Sequence, residues 1–77
     1  MRTYEIDVRP VSFAAAEAIS VAYRNIGGGL EVVAHLADDY RDTDYRYTLT
    51  YRAPRAVNAL QRARLQGIAE GIAHVTR

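Results

Sequence analysis

A chain of 77 residues with 49% hydrophobic and 25% charged residues has the composition of one small globular domain and not the low-hydrophobicity, high-charge profile of a disordered segment. It has no cysteine, which excludes disulfides and thiolate metal sites, and no apolar run near the roughly 20 residues of a membrane span. The formal net charge of +1 hides a division, because residues 1–44 carry −4, residues 45–77 carry +5, and every Lys-or-Arg position holds arginine.

Domains near this size bury only about 60% of the surface their unfolded chains expose, so their stability is thin and a second chain is a common supplement. The opening MRTYEIDVRP alternates charges where a signal peptide needs an apolar stretch, so the expected location is cytoplasmic.

Residues 2–9 alternate, with Tyr4, Ile6 and Val8 on one side and Thr3, Glu5, Asp7 and Arg9 on the other, as a strand with one wet face requires. Pro10 lacks an N–H and is expected to close it. Ser12 then suits an N-cap for a helix through about Asn25, with Ala15, Ile19, Ala22 and Ile26 at helical spacing. Gly27, Gly28 and Gly29 stop that helix. A phosphate-cradling loop runs from a strand into a helix, whereas these glycines run from a helix toward a strand, so an anion site is not expected there.

Residues 30–37 read as a second strand, with Val32, Ala34 and Leu36 on one face and Glu31, Val33 and His35 on the other. Residues 38–43 form a connection rich in side chains that accept local hydrogen bonds. Residues 44–52 read as the third strand, placing Tyr45, Tyr47, Leu49 and Tyr51 inward and Arg46, Thr48, Thr50 and Arg52 outward. Pro54 suits the first turn of a final helix ending near Val75. Its apolar stripe is expected at Val57, Leu60, Leu65, Ile68, Ile72 and Val75, with Arg55, Arg62, Gln66 and Glu70 opposite. Arg64 falls inside that stripe, where its methylenes can cover the core while its charge reaches the rim. Ala63, Gly67 and Gly71 recur every fourth residue on a flank expected to receive the first helix.

The order β-α-β-β-α predicts an α+β two-layer sandwich in one domain, a three-stranded antiparallel sheet of order 1-3-2 with two helices on one face. The pattern resembles a ferredoxin-like arrangement without its last strand, which leaves the first strand as an open edge. That order is expected to set Glu5 and Asp7 beside Arg46 and Arg52 on the exposed face.

Catalytic chemistry has little material: His35 and His74 lie on different elements, without acidic or hydroxyl neighbours spaced for a relay, so no catalytic residue and no cofactor is expected. A pocket of a few hundred Å³ is not expected in so small a core. The acidic stretch Asp38, Asp39, Asp42 and Asp44, with Tyr40 among them, fails the spacing of a calcium loop, and no metal is assigned to it.

What remains is surface. The expected function is a non-enzymatic protein–protein interaction module, of the size and class of small inhibitors such as phage anti-defence proteins (anti-CRISPR proteins among them) and antitoxins. It would contact a larger protein or complex through Asp38, Asp39, Tyr40, Asp42 and Asp44, or through Arg55 and Arg62. A homodimer through the first-strand edge is compatible with the pattern. The alternative is a nucleic-acid-binding domain using Arg46, Arg52, Arg55 and Arg62, against which stand the pI near 8.1 and the placement of tyrosines and arginines on opposite strand faces.

Overall fold

The computed structural model of the chain describes residues 2–37 and 46–76, without the side chains of Arg9 and Pro10. The elements run β1 (Arg2–Val11), α1 (Phe13–Ile26), β2 (Glu31–Leu36), β3 (Tyr47–Ala53) and α2 (Ala59–Val75). The strands form one antiparallel sheet in the order β1-β3-β2, so the architecture is the α+β sandwich that the element order predicts. α1 rests chiefly on β2, α2 on β1, and the helices on each other.

β1 is longer than its alternation suggests. Ile6 faces Leu49 and Val11 faces Tyr47, so the register shifts between them and the strand passes through Pro10 instead of ending there. An edge strand tolerates this, because a missing N–H on the solvent side breaks no ladder bond. The register also corrects the expected ion pairs: Glu5 faces Thr50, while Arg52 lies between Thr3 and Glu31.

Ser12 caps α1 by accepting from the Ala15 N–H at 3.3 Å. Gly27 ends it with φ 90°, and Gly28 and Gly29 follow with φ 75° and 73°. At Gly29 the positive φ favours glycine, and a Cβ would also meet the Pro54 ring at 3.1 Å, so that the ring would have to give way slightly. α1 buries Ala15, Ala16, Ile19 and Tyr23, and Ile26 is 52% exposed, so the buried face is turned from the expected one toward Tyr23.

Tyrosine organises the core. Tyr51 is stacked on Tyr4 at 5.2 Å and meets the edge of Tyr23 at 5.4 Å. Tyr23 is fully buried and donates its hydroxyl hydrogen bond to the Leu65 carbonyl at 2.5 Å, tying α1 to α2. Of the expected inward set, Leu49 and Tyr51 are buried and Tyr47 is half-buried, whereas Tyr45 lies outside the described residues.

The final helix departs most from expectation. Residues 54–58 belong to no helix; α2 starts after Asn58, whose side chain accepts from the Gln61 N–H at 2.8 Å while Gln61 returns a bond to the Asn58 N–H at 3.3 Å. This is a capping box, and it displaces Pro54 as the start signal. The helix buries Leu65 and Ala69, leaving Leu60 65%, Ile68 37% and Val75 82% exposed. Ala63, Gly67 and Gly71 face away from α1, and a Cβ at either glycine would meet nothing within 4 Å. The rotation has a tertiary cause. Gln66 holds Asp7 of β1 through its backbone N–H at 2.9 Å and its carbonyl at 2.5 Å, and Arg62 lies over the Tyr4 ring at 5.1 Å. Two polar side chains thus turn toward β1, and the outer part of the apolar stripe turns into solvent.

Candidate functional site

The rotation of α2 opens a groove at one end of the helix layer. Its floor and walls come from four places: Ile26 at the end of α1, the glycine turn and Leu30 after it, Val57 in the connection out of β3, and Leu65 with Ile68 on α2. The cavity measures about 580 Å³. It lies within the roughly 300–1,000 Å³ that ligand sites occupy. A concavity of this size was not expected from the chain length. It exists because it lies outside the core, between elements that do not close over it.

Arg55 and Arg64 line this groove. Arg55 comes from the β3–α2 connection, and Arg64 from the outward row Leu60, Arg64, Ile68, whose members recur every fourth residue and are all exposed. Neither arginine is engaged by a carboxylate among the described residues. The arrangement is therefore an apolar trough with two arginines at its margin that no acidic group among the described residues neutralises. Among the described residues lining it, the remaining hydrogen-bonding side chain is Gln61, already committed to the capping box.

The expected arginine surface divides. Arg62 belongs to the Tyr4–Tyr51 stack, where its charge opposes the rise that burial imposes on the Tyr51 phenol. Arg52 points from the open face of the sheet between Thr3 and Glu31, and Arg46 precedes β3, its carbonyl accepting from the Ala37 N–H at 2.8 Å. Arg55 stands at the groove. Of the arginines of the nucleic-acid alternative, Arg52 thus lies on the open face of the sheet, and Arg55 and Arg62 on its helix side. Asp38, Asp39, Tyr40, Asp42 and Asp44 lie outside the described residues.

His35 Nε2 lies 3.4 Å from Thr50 Oγ1 on the open face of the sheet, away from the groove, and His74 is exposed near the end of α2. No group of three or more His, Asp or Glu among the described residues could hold a metal ion, and no described helix is long and apolar enough to cross a membrane.

Arg64 carried a legible signal, an arginine set within an apolar row. Ile26 and Ile68 did not, since both read as core. The fold and site together define a small α+β domain with a cationic apolar groove on its helix layer. No protein family, curated protein or solved structure gives a significant match to the chain.

Proposed function

We propose that the protein is a non-enzymatic binding module that occupies a surface on a larger protein in the cytoplasm, and that the groove is its contact. One observation carries the reading: Ile26 and Ile68 are exposed in a trough that Arg55 and Arg64 also line. Isolated exposed apolar residues are ordinary, but two large ones in one concavity, beside arginines without an acidic partner among the described residues, have the composition of an interface centre, where arginine and large apolar groups are enriched. The complementary partner is a segment that offers apolar side chains to the trough and carboxylates to the two guanidinium groups. Small phage anti-defence inhibitors, anti-CRISPR proteins and antitoxins act by such occupation, and the protein fits that class in size and architecture.

The test is affinity capture from the native host with three forms of the chain. Wild type and Arg52→Glu, which alters the open face of the sheet, should retain the same co-purifying protein, and Arg55→Glu/Arg64→Glu should lose it. Retention by the double variant would remove the groove from the proposal. Loss with Arg52→Glu alone would move the contact to the sheet.

A further inference from the structure

The sheet has two edges, and they are built differently. Gln66 bonds both the N–H and the carbonyl of Asp7, so the side-chain amide takes the place of a neighbouring strand there. The same edge strand carries Arg2, Glu5 and Asp7, a proline and a register shift, which are the devices that keep an edge from pairing. β2 has fewer of them, with Glu31 at its start as its one Asp, Glu, Lys or Arg. Its sequence EVVAHL contains no proline, lysine or arginine, its pairing with β3 is regular throughout, and nothing among the described residues pairs with its other side.

The direction of the unpaired groups follows from the ladder. In an antiparallel pair the N–H and carbonyl of one residue point to the same side, and successive residues alternate. Ala37 donates to Arg46, so the odd-numbered residues of β2 face β3 and Val32, Ala34 and Leu36 present their backbone groups outward. The side chains of these three residues share the helix-side face, on which Val32 is half-buried, Ala34 is exposed and Leu36 is 42% exposed.

We propose that β2 is a homodimer edge, pairing antiparallel with β2 of a second copy about Ala34 to make one six-stranded sheet. The strand is self-complementary in that register. Ala34 meets Ala34 of the partner subunit, and Val32 meets the partner's Leu36, so the exposed leucine gains an apolar neighbour at both ends of the pairing. On the other face Val33 meets the partner's His35. Glu31, the one carboxylate on the strand, falls opposite Ala37 of the partner subunit, so among the described residues no like charges stand directly opposite each other. A second copy thus satisfies three outward backbone sites per chain and supplements a core of limited size.

Sedimentation velocity of the full chain over a concentration series tests this. The expected result is a species of twice 8.6 kDa that dissociates on dilution. Ala34→Pro removes an outward N–H that β3 does not use, and Leu36→Lys adds an edge charge; each should lose the dimer while keeping the wild-type circular dichroism spectrum. Should the proline variant fail to fold, the lysine variant decides. Glu5→Pro, the equivalent change at the β1 edge, should leave the dimer intact. Amide exchange should show Val32, Ala34 and Leu36 protected in the wild type and unprotected in Leu36→Lys. A single 8.6 kDa species at every concentration, a dimer that survives both β2 variants, or one lost with Glu5→Pro would overturn the proposal.

Discussion

Tyr23 is fully buried yet carries a hydroxyl, and its single partner is a carbonyl on the other helix. Burial raises its phenol well above the ordinary value of 10.0, with the neighbouring Tyr51 adding to the rise. A folded-state value above the unfolded one means that the contribution is complete below pH 10 and is lost as pH climbs through the folded value, since the unfolded chain releases the proton first. Denaturant titrations between pH 8 and 12 should therefore show stability falling above pH 10, with a shallower fall in Tyr23→Phe. Equal slopes would mean that Tyr23 is not the group responsible. At pH 7 the same variant should cost about 1 kcal/mol, the net worth of one hydrogen bond, because the ring remains to fill its site and the Leu65 carbonyl keeps its helical partner. Tyr51→Ala is a different case. It removes the ring that both Tyr4 and Tyr23 contact, and a loss of about 3–5 kcal/mol from so small a domain should abolish the cooperative unfolding transition.

Among the elements, α2 holds stability in reserve. Gly67 and Gly71 lie in the helix interior, away from any neighbour that a methyl group would strike. Replacing either with alanine should stabilise the protein by up to about 1 kcal/mol, measured as a higher thermal midpoint, because glycine loses more backbone freedom on entering a helix. A drop in the midpoint would show that the helix needs close approach at these positions after all. Asn58→Ala should cost about 0.5–2 kcal/mol through loss of the cap. The same helix shows why some of the fold was readable and some was not. Strand alternation and glycine punctuation gave β1, β2, β3 and the end of α1, because those signals are local. The Asn58–Gln61 pair is also local, but Pro54 four residues earlier offers a competing start signal that masks it. The rotation of α2 was not legible, because it depends on Gln66 meeting Asp7 and Arg62 meeting Tyr4 across more than fifty residues of chain. Hydrophobic periodicity sees Leu60, Ile68 and Val75 as core; tertiary contacts put them outside. The groove that follows from this rotation was therefore hidden from the sequence, although Arg64 marked its margin.

At the scale of the whole molecule the charge division acquires a spatial meaning. The arginine-rich second half does not make one basic face: Arg62 is drawn onto the aromatic stack, Arg52 lies on the sheet beside Glu31, and Arg55 and Arg64 frame the groove. Nucleic-acid binding through phosphates gains with each cation that acts at the same time, and the salt dependence records their number, with a slope near −0.9 per phosphate on duplex DNA. Four arginines acting together would give a slope of about −3.6. Distribution over separate surfaces lets at most two engage one duplex, so fluorescence titrations with generic DNA at two salt concentrations should show weak binding and a slope no steeper than about −1.8. A steeper slope that Arg55→Glu/Arg64→Glu leaves unchanged would mean that the sheet face gathers its cations after all and that the groove is not the main charged contact. The expected shallow slope, together with capture of a protein partner that the same double variant abolishes, would favour a protein surface over nucleic acid as what those two arginines contact.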